Sequence, residues 1–434
     1  MNLIILTDTL EDKSKKELID EYIELYKEYE KLKKKLRKYE NPHTPPSKDE
    51  RTAVRSNFIS KTGLPVGKKT GYTGATREKK KPTHFIKSFD GKCKRCGKHN
   101  KPKRIIEKIF EEIPEPQPIR VIKSEWGYYE CKCGNCWESK HKDTPDHGII
   151  GKNAQVHITL LRFDDGLPLR KTVEAIGRQF HLDITSKAVY DVTKRVADKA
   201  TQTYKEIKKK IRRAKSLNID ETKIKIQGVW YYLWVFRSMK YVFFVIRRER
   251  NRNVLDEILG HRYKGIITCD GLSAYEEYTK YLQRCWAHIL RDTKEYSEEY
   301  DDAKPLHQWM CDLFKKVKAV SIRISLSKRK NIYKSCIKEM EHLIQIYSSY
   351  SHLGKIITTI KNGLPYWFTR ILHPRIEPTN NNAERPLREP VVMKKIMGTL
   401  RNEDGANIFS VIMSLLSTWK IQKKNKFTEL RAIL

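Results

Sequence analysis

Three acidic residues stand where the chain can do phosphate chemistry. Asp220 lies inside a β-branched apolar run, Asp270 ends another, and Glu384 follows far downstream in an Asn-rich segment. Two carboxylates brought together repel each other unless a cation sits between them. A pair of divalent ions held this way can clamp both the attacking and the leaving oxygen of a phosphate. Each acid also has a plainer reading. Asp220 can be a strand acid paired with Lys223 or Lys225, and Asp270, followed by Gly271, can be a turn residue. Glu384 can complement a helix N-terminus or pair with Arg388 one turn on. Glu221 follows Asp220 directly, so its side chain is expected on the opposite strand face, outside a shared site.

The elements that must position these acids are legible nearby. Residues 217–226, 229–236 and 241–246 are rich in Ile, Val, Phe, Tyr and Trp and predict three strands. Gln227-Gly228 and Ser238-Met239-Lys240 are spaced as hairpin turns between them. A short helix over 253–259 is stopped by Gly260, and residues 265–269 predict a fourth strand. A helical crossover returns that strand parallel to an earlier one. Beside the first strand, it brings Asp270 to Asp220 at one edge of the sheet. Pro386 lacks an N–H and suits a first helical turn, which points to Asn382 as the N-cap and puts Glu384 in that turn.

Four motifs carry a resemblance. They are Asp220-Glu221-Thr222; Cys269-Asp270-Gly271-Leu272-Ser273-Ala274-Tyr275; Cys285-Trp286-Ala287-His288; and Asn381-Asn382-Ala383-Glu384-Arg385-Pro386-Leu387-Arg388. In this order, with a long gap before the glutamate, the chain resembles the DDE transposases of the insertion sequence 66 family, from its N-terminal helix to about Asn425. The resemblance implies an α/β multidomain fold: a ribonuclease-H-like mixed sheet with an α-helical insertion, preceded by a coiled-coil helix, a zinc-binding module and a helical domain. It implies that Asp220, Asp270 and Glu384 are the catalytic acids and hold Mg²⁺ or Mn²⁺, hard ions suited to carboxylate and phosphate oxygens. The reaction implied is metal-assisted phosphodiester cleavage followed by strand transfer, with terminal inverted repeats and target DNA as double-stranded partners. His288 then contacts the scissile phosphate or is a satisfied core histidine, and Arg388 neutralises phosphate charge or only pairs with Glu384. Two other readings compete: a zinc-containing DNA-binding protein on a retired core, and a nuclease of the same core without strand transfer. The presence of all three acids favours activity.

Composition agrees with a polyanionic partner. Among 434 residues, Lys and Arg number 88 against 53 Asp and Glu, a net charge of +35. That surplus predicts nucleic acid rather than a membrane surface, because no basic helix with a clean apolar face stands out. No apolar run approaches the length of a membrane span. The N-terminus has neither the basic lead-in nor the cleavage site of a signal peptide. Nine cysteines, five of them crowded between 93 and 136, do not form a disulfide scaffold. A reducing, cytoplasmic setting within reach of a prokaryotic chromosome is expected.

The remaining organisation divides as follows. Residues 1–40 carry a heptad seam at Leu18, Tyr22, Leu25, Tyr29, Leu32, Leu36 and Tyr39. It suits a coiled coil pairing two protomers, in a homodimer or higher oligomer, or a single helix packed on its own chain. Residues 41–84 are expected to be a flexible basic linker, with Lys68, Lys69, Arg77, Lys79 and Lys80 placed to follow a DNA backbone or to remain a solvated tether. Residues 85–145 hold two knuckles, Cys93 with Cys96 and Cys133 with Cys136, that can close a structural Cys₄ zinc site; Cys131 can substitute. Strands are expected within 105–121 and over 126–130. Residues 146–212 read as helical. Segments 169–180 and 186–200 form either a helix-turn-helix presenting Lys187, Lys194 and Arg195 to DNA, or a pair packed on the sheet, before a basic connector. The catalytic core spans 213–288, with a possible fifth strand over 283–288. A helical insertion fills 289–376, and the core resumes over 377–434 with the glutamate and a C-terminal helix.

Overall fold

The computed structural model describes residues 15–37, 81–89, 92, 94–99, 101–102, 104–110 and 115–434. The chain divides into two units, Met1–Glu111 and Glu112–Leu434. Linker residues Lys68, Lys69, Arg77, Lys79 and Lys80, together with Cys93 and Tyr39, lie outside the described residues.

In the first unit, helix α1 spans Lys15–Arg37. Tyr22, Leu25, Tyr29 and Leu32 of the heptad seam are exposed along it. Around Cys96, Lys92 and His99 form an isolated antiparallel bridge, and Gly97 takes a positive φ of 75°.

The second unit begins with a small hairpin, β1 (Tyr128–Glu130) and β2 (Cys136–Glu138), paired antiparallel. The strands expected within 105–121 do not form among the described residues; Pro116 and Pro118 have no N–H to give a ladder. Three helices follow: α2 (Lys152–Phe163), α3 (Leu169–Phe180) and α4 (Ser186–Arg212). Thr185 caps α4, its hydroxyl accepting the Ala188 N–H at 3.1 Å. The expected connector after residue 200 is instead a continuation of α4. Its apolar period persists through Ala200, Ile207 and Ile211, all buried.

The central sheet is built from β3 (Ser216–Ile226), β4 (Val229–Arg237), β5 (Val242–Arg247), helix α5 (Arg252–Leu259) and β6 (Ile266–Cys269). Helix α6 (Ser273–Tyr278) and strand β7 (Leu282–Arg284) complete it. The order is β5-β4-β3-β6-β7, antiparallel from β5 through β4 to β3 and parallel from β3 through β6 to β7. Gln227 and Gly228 both take positive φ, 50° and 80°, the two-residue turn whose twist matches that of a hairpin. Buried runs in β4, β5, β6 and β7 mark a sheet covered on both faces.

Strand β7 stops at Arg284, and the Cys285-Trp286-Ala287-His288 motif opens a helix rather than extending the strand. Helix α7 (Trp286–Glu299) leads into α8 (Ala303–Ala319), α9 (Leu326–Tyr347), α10 (Gly354–Asn362) and the short α11 (Thr369–Leu372). These helices bury a core of their own around Trp286, Leu306, Met310, Leu343 and Phe368. The fully buried Trp286 ties it down, its indole N–H donating to the Trp367 carbonyl at 2.7 Å. The chain then returns through α12 (Asn381–Met397), α13 (Glu403–Ile421) and α14 (Lys426–Ile433). The expected loop between α12 and α13 contributes one bridge, Leu400 beside Ile226.

Helix α13 also closes the outer edge of the sheet. Ser414 Oγ accepts the Phe244 N–H at 2.8 Å, and Thr418 Oγ1 accepts the Val242 N–H at 3.0 Å. Strand β5 therefore offers no free ladder to another chain. No helix among the described residues is long and apolar enough to cross a membrane. Ser414→Ala should strand the buried Phe244 N–H and lower unfolding free energy by about 1–3 kcal/mol. A denaturant titration checks this, and an unchanged midpoint would show that another group caps the edge.

Candidate active site

Sheet register sets the first two acids level. Asn218 of β3 pairs with Thr268 of β6 in parallel. Two residues on, Asp220 lies within β3 and Asp270 just past the end of β6, and the charge of Asp270 reaches Asp220. Asp270 also serves its turn, as the plainer reading expected: its Oδ1 accepts the Leu272 N–H at 3.0 Å. The expected lysine partners of Asp220 are engaged elsewhere. Lys223 and Lys225 lie over the Trp230 ring, 5.9 and 4.6 Å from its centroid.

The third acid arrives through residues 377–380, which are sewn to the same two strands. Thr268 Oγ1 donates to the Glu377 carbonyl at 3.4 Å, and the Trp286 N–H donates to the Pro378 carbonyl at 3.0 Å. Asn380, fully buried, is the central stitch. Its Nδ2 donates to the Ile219 carbonyl at 2.7 Å, immediately before Asp220, and its Oδ1 accepts from Asn218 Nδ2 at 3.2 Å. Its backbone N–H reaches Cys285 Sγ at 3.1 Å.

Helix α12 starts two residues earlier than expected. Asn380, not Asn382, is its N-cap residue, and it caps without a side-chain bond because its amide is committed to β3. Glu384 still lies in the first turn, whereas Pro386 and Pro390 sit inside the helix. A proline there deprives the carbonyl four residues back of its donor. For Pro386 that carbonyl belongs to Asn382, and Arg237, the last residue of β4, supplies the replacement: its Nη1 donates to Asn382 O at 2.7 Å. The proline thus creates an acceptor that locks the Glu384 helix to the sheet.

The electrostatics record the crowding. Asp220 is pushed up to about 7, first by burial and then by the charges of Glu221, Asp270 and Glu384; the Glu221 N–H on its Oδ1 only partly offsets this. Burial and Asp270 likewise raise Glu221. Glu221 accepts the Tyr275 hydroxyl at 2.6 Å and pairs with Arg250 Nη2 at 2.6 Å. Its charge reaches Asp220, and that of Asp270 reaches it. Arg250 also approaches Asp270 Oδ2 at 3.8 Å. The buried Arg284 pairs with Glu276 and donates to the Asp270 carbonyl at 3.3 Å.

His288 lies in the first turn of α7, with Nε2 4.0 Å from Glu384 Oε1. The adjacent Cys285 sulfur, and then Glu384, push its imidazole up to about 9 against the effect of burial. Arg388 is exposed on α12 and makes no ion pair with Glu384 among the described residues. Sequence reasoning did not single out Arg237, Arg250, Arg284, Tyr275 or Asn380. Only Asn380 carried a local signal, as the first residue of an Asn run.

The donors suit a hard divalent cation. Asp220, Asp270 and Glu384 offer carboxylate oxygens within one another's electrostatic reach, and Glu384 Oε1 is buried without a hydrogen-bond partner among the described residues.

The other residues expected to act lie apart from this cluster. Cys131, Cys133 and Cys136 are exposed on the β1–β2 hairpin. Its turn is closed by the Gly134 N–H on the Cys131 carbonyl at 2.8 Å, and Gly134 has φ 86°. The Cys133 thiol is held below its usual range by hydrogen bonds from Asn135 and Cys131. Lys187 pairs with Asp191, and Lys194 with Asp404 at 2.7 Å. Both lysines, with Tyr190 and Arg401, border a surface cleft of ≈ 580 Å³. Arg195 has a buried Nε without a partner among the described residues. The opposite face of α4, including Val189, Val192 and Val196, is buried in the core.

The Asp220 shift has a consequence for stability. Its unfolded value is about 3.9. Between that value and about 7, the folded chain therefore holds a proton that the unfolded chain releases. The stability tied to this proton is complete below the unfolded value and is lost as pH rises through about 7. In chelator, wild type should lose on the order of 3 kcal/mol across that window relative to Asp220→Asn. Parallel pH profiles for the two proteins would refute the shift.

A family profile described as transposase IS66 family matches residues 147–408, which takes in the sheet, the helical insertion and the segment bearing Glu384. Comparison with curated protein sequences returns no match. The matched span runs through all four sequence motifs and covers more than half of the chain, so the protein belongs to the IS66 family of DDE transposases, polynucleotidyl transferases that move DNA.

Proposed function

We propose that Asp220, Asp270 and Glu384 carry the DNA cleavage and strand-transfer chemistry of this transposase. The observation that carries the reading is the buried Asn380 amide, which ties the Glu384 helix to the backbone beside Asp220. When bound, Mg²⁺ or Mn²⁺ supplies charge neutralisation at the phosphate and activation of the attacking hydroxyl. The three carboxylates hold that charge at the sheet rim. Arg237 and Asn380 fix the helix bearing the third, and Arg284 fixes the backbone of the second. His288, protonated at neutral pH, can face a phosphate oxygen across from Glu384. Arg388, exposed one turn beyond Glu384, can meet the DNA backbone.

The strand order β5-β4-β3-β6-β7, antiparallel on one side of β3 and parallel on the other, supports a ribonuclease-H-like core. The cysteine spacing keeps Cys93, Cys96, Cys133 and Cys136, with Cys131 as the substitute, as candidate ligands of structural zinc. The exposed seam of α1 supports pairing of two protomers. The paired but exposed Lys187 and Lys194 border a cleft open to terminal or target DNA. The basic segment from Lys68 to Lys80 follows the DNA backbone, and the domain boundaries expected from composition are retained with these assignments.

Supercoiled DNA carrying the element's terminal inverted repeats tests the triad. Asp220→Asn, Asp270→Asn and Glu384→Gln should bind this DNA as wild type does. Their Mg²⁺-dependent cleavage should fall by more than about a hundredfold, beyond the loss typical of an outer-shell partner. Mg²⁺-dependent nicking by Asp270→Asn at the wild-type rate rules the triad out. Zinc content is a separate measurement: Cys136→Ser should lose the knuckle ion while Asp270→Asn keeps it, and equal zinc in both would remove the knuckle assignment.

A further inference from the structure

The Cys285-x-x-His288 pair is given no metal-binding role in the oxygen chemistry proposed above, yet it is built against the same glutamate. Cys285 is the N-cap residue of α7 and His288 lies in the first turn, so both side chains address one end of that helix. A sulfur of Cys285, a ring nitrogen of His288 and a carboxylate oxygen of Glu384 all lie within 4.8 Å of one another. Two of the polar atoms involved, His288 Nδ1 and Glu384 Oε1, are buried without hydrogen-bond partners among the described residues. Orphaned buried atoms of this kind call for a missing partner. The Cys285 sulfur is buried and accepts the Asn380 N–H at 3.1 Å, a contact that orients it.

We infer that Cys285, His288 and Glu384 form a site for a thiophilic divalent cation of the zinc class, whose binding draws Glu384 away from Asp220 and Asp270. The donor set decides the class of ion. Thiolate, imidazole and a single carboxylate select Zn²⁺, Co²⁺ or Cd²⁺ over Mg²⁺, which demands oxygen. Three protein ligands with an open fourth position form a standard zinc arrangement. The donor atoms must close by about an ångström to reach bonds of roughly 2.0–2.3 Å, a side-chain adjustment within two first helical turns. Because Glu384 cannot serve both ions at once, zinc-class ions inhibit the Mg²⁺-dependent reaction by competition for one carboxylate. This inhibition rests on Glu384 being the third acid; the site itself does not.

The test uses the full chain, stripped with chelator, reloaded with Co²⁺ or Zn²⁺ and freed of excess ion. Cys285→Ser and His288→Ala should each retain one ion fewer than wild type, with a weaker thiolate-to-cobalt absorption band in Cys285→Ser. The Zn²⁺ concentration that halves Mg²⁺-dependent cleavage should rise by about tenfold or more in Cys285→Ser. Circular dichroism confirms that the variants fold. If they do not, a Zn²⁺-soaked wild-type crystal decides: anomalous density bridging the three side chains supports the site, and its absence there overturns it. Equal ion content in wild type, Cys285→Ser and His288→Ala, alongside a loss in Cys136→Ser, also overturns it. Glu384→Gln separates the two ideas. An ion lost with cleavage retained overturns Glu384 as the third acid and leaves the site standing. Cleavage lost with full ion content overturns the site and leaves the acid standing.

Discussion

One buried amide holds the arrangement together. Asn380 sits where the chain re-enters the sheet after the helical insertion, and its side-chain amide and backbone N–H are spent on joining separate elements. Its side chain binds the backbone of β3 and the side chain of Asn218, and its N–H binds the sulfur at the head of α7. A fully buried amide left half-satisfied would cost more than it contributes, so these partners must be present together. Glu384 follows by four residues on a rigid helix, and its position relative to Asp220 descends from that one residue. Arg237 repeats the constraint from the β4 side, on a carbonyl that Pro386 has left without a helical donor.

The same constraint explains the unfavourable electrostatics. Four carboxylates, Asp220, Glu221, Asp270 and Glu384, influence one another at the end of two strands, and burial leaves little water to screen them. The chain neutralises part of this itself. Arg250 and Tyr275 hold Glu221, and Arg284 anchors the turn of Asp270. Among the described residues no comparable cation stands by Asp220, whose carboxyl is pushed up to about 7 by burial and its acidic neighbours. Local strain of this kind is retained when a function uses it, and the exchange of a proton for a divalent ion is the simplest use.

Around the rim the fold is conservative. Its parallel side is buried beneath helices and its antiparallel edge is sealed by α13 through Ser414 and Thr418. The helical insertion has a separate core and meets the sheet at β7, where Gln283 Nε2 donates to the Trp367 carbonyl and the Thr369 hydroxyl to the Leu282 carbonyl. Its link to the site is Trp286, which belongs to that core while its neighbour Cys285 touches Asn380. The candidate site thus sits at a junction between two hydrophobic cores.

The strands, their turns and the acids were legible in the residues alone, because β-branched runs, a Gln-Gly turn with both residues at positive φ and an Asp at a strand end are local patterns. So were the helical character of the insertion and the heptad seam of α1. The strands expected within 105–121, the fifth strand thought to extend to His288 and the connector after α4 were misjudged. In each case a neighbour in space, or its absence, decided whether an apolar stretch paired, coiled or remained irregular. Asn380, Arg237, Arg250 and Arg284 could not be found from sequence, since each acts on a residue more than ten positions away or on a backbone carbonyl that no side-chain pattern reports. Residue types determined which chemistry is open to this chain; the long return of the chain onto β3, held by buried hydrogen bonds, decided that the charges of Asp270 and Glu384 both reach Asp220.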